Sequence, residues 1–230
     1  MSLKDTHERT HDYLRISLTE KCNLRCQYCM PAEGVPLSPT QLTAGEIGRL
    51  ATIFKDLGVK KVKLTGGEPA VRNDIVQITQ QMSALFSEVG ITTNGTLMKR
   101  KLPKLKDVGL TNVNISLDSL VEAKNQFITR RPNTTEAALN TIDQCIELGL
   151  RTKLNVVSMK NFNEEEVCDF VELTRDRDLA VRFIEFMPFG SNSWNDDKFV
   201  PSQTLMNLVQ AKYPGVTRLT DDNNSTSRNW

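Results

Sequence analysis

The chain lacks any apolar run approaching the roughly 20 residues that a bilayer-spanning helix needs, and its residues 1–11 are polar, without the apolar stretch of a secretory leader. It has almost no charge surplus: 29 Lys and Arg against 28 Asp and Glu leave a net charge of +1. So even a balance makes no electrostatic case for a nucleic acid or a membrane as the main partner, and an anionic ligand would have to be met by a local pocket. A disulfide framework is missing too. The five cysteines are an odd number, three of them packed into eight residues, a spacing too tight and lopsided for a stapled secreted domain. These absences lead us to expect a soluble protein of a reducing compartment, cytoplasmic, or of the mitochondrial matrix if the source is eukaryotic.

What the 230 residues do contain is a regular alternation. Short β-branched runs at 14–18, 62–65, 89–92, 113–117, 154–157 and 181–186 read as strands, each followed by a helical pattern. Thr43 opens a capping box with Glu46, ahead of Ile47, Leu50, Ala51 and Phe54 at helical spacing. Ile75, Ile78, Met82 and Leu85 repeat the pattern behind Asn73-Asp74, and Asn163 with Glu166 predicts another cap. Further helices are expected over 97–108, 135–148 and 202–213, while Gly58, Gly109 and Gly149 each stand where a helix ends. Six strand-helix units imply a mostly parallel α/β sheet with right-handed crossovers, either open and doubly wound or a partial barrel. We expect a flexible segment at 1–12, one core domain at 13–219, and a disordered tail at 220–230, which is too polar to pack.

Cys22-Asn-Leu-Arg-Cys26-Gln-Tyr-Cys29 puts three thiols on one loop directly after the first strand. A four-iron cubane held by three cysteines keeps one iron open for an exogenous chelator. A Cys3His zinc site using His7 or His11, and a Cys26-x-x-Cys29 redox pair, are the alternatives. After the second strand comes Leu64-Thr-Gly-Gly-Glu-Pro69, whose glycines allow a left-handed turn or a close approach to a ligand. Thr92-Thr-Asn-Gly95 follows the third strand and Ser116-Leu-Asp118 the fourth, with a helix cap the plain reading of Asp118. Ligands in parallel α/β folds bind at the carboxyl ends of the strands, where all of these motifs fall. Cys145, on the inward stripe of its helix, and Cys168 read as packing, His7 and His11 as solvated, and the Glu164-Glu-Glu166 run as suited to a helix N-terminus. Phe189 and Trp194, in the loop after the last strand, read either as a cover for the mouth of the barrel or as surface packing.

Taken together, the three-cysteine loop with Tyr28 before its last thiol, and the Gly-Gly-Glu-Pro turn, resemble the radical S-adenosylmethionine (SAM) superfamily. The chain is similar in particular to the GTP 3′,8-cyclase family of molybdenum-cofactor biosynthesis. The likeness rests on Leu14 through Cys22 to Met30-Pro31, Leu64 to Pro69, Thr92 to Gly95, Asn114 to Asp118 and Arg182-Phe-Ile-Glu-Phe-Met187, and runs from about residue 12 to about residue 219. It implies a partial (β/α)6 TIM-like barrel, and a lyase with a 4Fe-4S cluster on Cys22, Cys26 and Cys29. It further implies SAM on the open iron, lined by Tyr28, Gly67, Ser116 and Met187, and cleaved to a 5′-deoxyadenosyl radical that takes a hydrogen from GTP. Arg15, Lys63, Thr92 and Lys153 match the family's GTP contacts. Lys63 replaces an arginine, which keeps the charge, loses the bidentate fork and predicts looser phosphate binding. An electron donor such as flavodoxin or ferredoxin, and a homodimer, belong to the same expectation.

Members of that family carry a second three-cysteine group, with nearby arginines, beyond the point where this chain stops. Cys145 and Cys168 cannot substitute for it, so the expectation for this chain is one cluster and not the second. Three readings follow: the SAM-cleaving part of a GTP 3′,8-cyclase making a cyclised pterin precursor, a short radical SAM enzyme with another substrate, and a truncated, catalytically silent cluster-binding product.

Overall fold

The structure, a computed structural model, describes residues 3–188, 196–221 and 227–230, so Phe189 and Trp194 lie outside the described residues. Alternation builds its six strands, β1 (Tyr13–Ser17), β2 (Lys61–Thr65), β3 (Glu88–Thr93), β4 (Asn112–Ser116), β5 (Arg151–Ser158) and β6 (Leu179–Glu185). All pair in parallel, in the order in which the chain makes them. One face of the sheet is apolar: Leu14, Ile16, Val62, Leu64, Val89, Ile91, Val113, Ile115, Leu154, Val156, Val181 and Phe183 pack into the main core. The residues between them, Arg15, Lys63, Asn114, Lys153 and Arg182 among them, therefore face the other side.

That other face is curled. Adjacent strands lie about 4.8 Å apart, so β2 and β6 of a flat sheet in this order would stand roughly 19 Å from each other. Yet Lys63 on β2 feels the charges of Lys153 on β5 and of Arg182 on β6, as well as that of Arg15 on the adjacent β1. The sheet is a partial (β/α)6 TIM-like barrel with a lumen, and the alternative of an open, doubly wound sheet falls away.

The described residues form seven α-helices, α1 (Ala44–Asp56), α2 (Ile75–Leu85), α3 (Leu102–Asp107), α4 (Glu122–Thr129), α5 (Thr134–Glu147), α6 (Val167–Glu172) and α7 (Ser202–Lys212); all but α4 pack on the apolar side of the sheet, and α4 packs its Ile128 with Met159, Phe186 and Tyr28. The Thr43–Glu46 capping box closes as expected, with Glu46 N donating to Thr43 Oγ1 at 3.2 Å and Thr43 N donating to Glu46 Oε2 at 2.8 Å. The helix expected from residue 97 starts only at Leu102, because Pro103 has no N–H and fits only in a first turn. Asn163 does not cap a helix. Its amide accepts from Met159 N at 2.8 Å and donates to Asp118 O at 2.6 Å and Val157 O at 2.9 Å, bracing the ends of β4 and β5.

At the chain's start, Lys4 bridges Thr10 antiparallel, and Leu3 N donates to Leu57 O at 3.2 Å. At its end, Leu219 N donates to Asn229 O at 3.0 Å, and Arg218 lies 5.4 Å from the Trp230 ring. Among the described residues no helix is long and apolar enough to cross a membrane.

Candidate active site

The loops that leave β1 to β4 are knitted together at the carboxyl end of the barrel. Gly66 and Gly67 were expected to make room for a ligand or a turn, and the room goes to the chain itself. A Cβ on Gly67 would stand 2.5 Å from Lys21 O and 2.7 Å from Glu20 O, and Gly66 has φ 146° with Thr19 O 2.6 Å from its Cβ position. The backbone closes this contact, Gly67 N donating to Thr19 O at 2.7 Å and Glu68 N to Lys21 O at 2.8 Å, immediately before Cys22.

The buried Glu68 carboxylate extends the tie to the next loop. It accepts from Ala70 N at 2.9 Å, Thr93 Oγ1 at 2.7 Å and Asn94 N at 2.7 Å. Burial pushes its pKa up, and these three donors pull against that. Asn94 in turn donates to Asn23 Oδ1 at 3.0 Å, and Asn23 donates to Thr96 Oγ1 at 2.7 Å, which brings the third strand's loop onto the cysteine loop.

Asp118 has a role that the reading as a helix cap missed. The residue before α4 is Val121, without a side-chain bond. Asp118 is instead buried under the cysteine loop, accepting from Tyr28 OH at 2.7 Å and from Val157 N at 2.9 Å. Burial raises its pKa to about 6 against those two donors. The Tyr28 ring meets Phe186 edge-on at 6.3 Å, so its side chain points inward and its backbone is what it can offer a ligand. Cys26, Tyr28, Asn94, Ser116 and Asp118 line a cavity of about 40 Å³.

Among the thiols, a hydrogen bond from Cys26 to Cys29 lowers the pKa of Cys29 and raises that of Cys26. Burial raises Cys22. Sulfur donors on one loop, two of them already in contact, suit an iron-sulfur cluster. Among the described residues no three His, Cys, Asp or Glu side chains converge on a point that a single metal ion could fill. His11, a candidate fourth zinc ligand, lies 3.6 Å from Asp5 in the N-terminal segment. Cys145 is fully buried in the core, its thiol pushed up to about 12, and Cys168 on α6 donates to Leu208 O of α7 at 3.6 Å.

Deeper in the lumen the chemistry changes. Arg15 is the register partner of Lys63, Asn114 of Lys153, and Asn155 of Arg182. Lys63 is buried, 7% exposed, and donates to the side-chain oxygens of Asn112 and Asn114, neither of them charged. Burial, then Lys153, Arg15, Arg182 and Arg151, lower its pKa to about 8. Its register partner Gly90 leaves the space that the Lys63 amine and the Asn112 amide occupy, and a Cβ there would push both side-chain ends aside. Thr92 Oγ1 and Asn155 Oδ1, on the same face, are buried and find no hydrogen-bond partner among the described residues. Such a pocket is primed for an anion carrying hydroxyl or amine donors.

The structure thus brings Cys22, Cys26, Cys29, the Tyr28 backbone and Ser116 to the rim, and Arg15, Lys63, Thr92 and Lys153 to the lumen. Gly67 lies under the cysteine loop, and Met187 follows β6 with 61% of its surface exposed. Sequence reading missed Arg182 as a lumen cation. The signal was available: a charge in a largely apolar strand run, directly between Val181 and Phe183, which pack outward.

Residues 16–174 match the family model described as the radical SAM superfamily. A protein named GTP 3′,8-cyclase, mitochondrial, from Arabidopsis thaliana is 51% identical over 99% of this chain, which covers 60% of that protein. A GTP 3′,8-cyclase of Alkaliphilus oremlandii is 44% identical over 94% of this chain and 69% of its own length. Streptococcus suis SuiB bound to S-adenosylmethionine is alike in fold, with a TM-score of 0.67 at 20% identity, covering 88% of this chain and 48% of that one. The chain spans less than two thirds of the Arabidopsis relative's length.

Proposed function

Because this chain belongs to the radical SAM superfamily and, within it, to the GTP 3′,8-cyclase family, we propose that it carries the SAM-cleaving and triphosphate-holding parts of that reaction. The observation that supports this most is a juxtaposition: three thiols on a braced loop sit at the mouth of a lumen whose floor carries Arg15, Lys63, Lys153 and Arg182. Cys22, Cys26 and Cys29 would hold one 4Fe-4S cluster, and with SAM it would supply a 5′-deoxyadenosyl radical once a donor such as flavodoxin or ferredoxin delivers an electron.

The protein's own work is positioning. Ser116 and the backbone of Tyr28 stand at the rim, where SAM would lie, and Gly67 supports the cysteine loop from beneath. The lumen cations would bind the triphosphate of GTP and so present the ribose to the rim, and closure of the lumen around the ligands would keep water from a radical. Lys63 carries one ammonium where the family has a guanidinium, so its share of the triphosphate contact is a point charge.

The test is anaerobic reconstitution with iron and sulfide, followed by reduction with SAM and GTP. The reading expects a brown protein that makes 5′-deoxyadenosine and a cyclised purine, with both products lost, by about a hundredfold or more, in the triple Cys→Ala variant. A colourless protein, or SAM cleavage untouched by the three substitutions, overturns it. SAM cleavage with a product from some substrate other than GTP would keep the cluster and overturn the nucleotide.

A further inference from the structure

The cysteine loop leans on the end of α4, and three arginines clasp it there. Arg25 N and Gln27 N donate to Thr129 O and Ile128 O at 3.0 and 2.9 Å, and Gln27 Nε2 donates to Phe127 O at 2.7 Å, so the loop supplies donors to carbonyls that a helix end leaves open. The loop's own carbonyls meet guanidinium groups. Arg25 Nη1 donates to Cys22 O at 2.6 Å and Leu24 O at 2.8 Å, and Arg131 Nε to Asn23 O at 3.4 Å. Arg130 Nη1 donates to Arg25 O at 3.0 Å and to Met30 O at 3.1 Å, spanning the segment that carries Cys26 and Cys29.

Arg130 makes this span from an unusual backbone. It ends α4 in the left-handed region, φ 56° and ψ 29°, where glycine is the favoured residue and any other side chain is strained. Glycine would stop the helix with less strain, but it has no guanidinium. The conformation aims the side chain beneath the loop, where the guanidinium meets the carbonyls just before Cys26 and just after Cys29.

We propose that Arg130 is a positioning residue of the cysteine loop: its guanidinium, laid across the carbonyls of Arg25 and Met30, presets Cys26 and Cys29 for cluster assembly and holds a positive charge beside the cluster. The proposal rests on the reading of the three thiols as cluster ligands. Preorganisation of ligands by groups that do not touch the metal is a general device of metal sites, and nearby charge shifts cluster potentials.

Arg130→Gly and Arg130→Lys separate this role from helix capping. Hydrogen exchange of the metal-free chain reads the loop without any cluster. R130G should speed exchange at residues 22–30 about tenfold while α4 keeps its protection. After reconstitution, R130G should lose iron to a chelator about tenfold faster. Its cluster should be harder to reduce, with a reduced fraction up to tenfold lower at a fixed potential, which corresponds to 59 mV for one electron. R130K, keeping the charge without the fork, should restore the potential but not the exchange protection. Wild-type exchange and iron retention in R130G would mean that the residue only ends a helix, and would overturn the proposal. Loss of protection across the whole chain in both variants would overturn it too, by making Arg130 a determinant of the fold. Failure of the wild-type chain to take up iron would sink the cluster reading instead, while the exchange experiment still decides the loop.

Discussion

At the rim, Glu68 gathers three donors and Asp118 two, and every link except that from Ala70 joins segments that belong to different strands. In the lumen below, Lys63 has two neutral amide oxygens and a surround of cations, and the buried side-chain oxygens of Thr92 and Asn155 find no partner among the described residues. Buried polar groups normally find their partners within the protein. The rim does so and is therefore complete before any ligand arrives, whereas the lumen is held in a state that an added anion with donor groups would relieve. One region is built for geometry and the other for affinity.

The sharpest way to break that contrast is Arg182→Ala. A lumen cation should matter to the ligand, so GTP affinity measured calorimetrically should fall tenfold to a hundredfold, about 1.5–3 kcal/mol for a bond to a charged group, while the thermal midpoint hardly moves. Unchanged affinity would remove the lumen from the binding site. Gly67→Ala tests the rim in the opposite sense. Its Cβ would press on the carbonyls of Glu20 and Lys21, so urea unfolding should show a loss of ~1–3 kcal/mol in the ligand-free chain. A stable G67A would mean that the turn has slack.

The smallest effect concerns one proton. Lys63 titrates near pH 8 in the folded chain, below its ordinary 10.5, so between those values the unfolded chain holds a proton that the folded one has released. Ligand-free stability should therefore rise with pH across that window. Binding of a triphosphate should return the proton. Calorimetry at pH 8 in buffers of different ionisation enthalpy should find an uptake of up to about half a proton per chain, and none in Lys63→Met.

Much of the scaffold was legible because it follows from side-chain period. The six strands were visible as β-branched runs, and the Thr43–Glu46 box and the three helix-ending glycines stand where expected, at φ 98°, 100° and 63° for Gly58, Gly109 and Gly149. α4 was not foreseen, since Glu-Ala-Lys-Asn-Gln-Phe-Ile-Thr has little apolar period and Val121 offers no cap. At the site, the motifs announced which loops would meet, but not what each side chain would do there. Asp118 and Asn163 look like caps in one dimension, and their partners, Tyr28 and Val157 among them, come from other elements. Arg130 was invisible for a different reason. A left-handed residue in Arg-Arg-Pro-Asn cannot be told from an ordinary turn until the backbone is seen.

The fastening of the cysteine loop also has a timetable. The thiols leave the ribosome ahead of their braces: Tyr28 waits for Asp118, 90 residues later, and Arg25 waits for Arg130, 105 residues later. At about 5–20 residues per second, the thiols stand unbraced for roughly 5–20 s of synthesis. Iron delivered during that interval would meet a floppy, oxidisable chelator rather than a finished cradle, so a cell making this protein has reason to load it only after translation has passed α4.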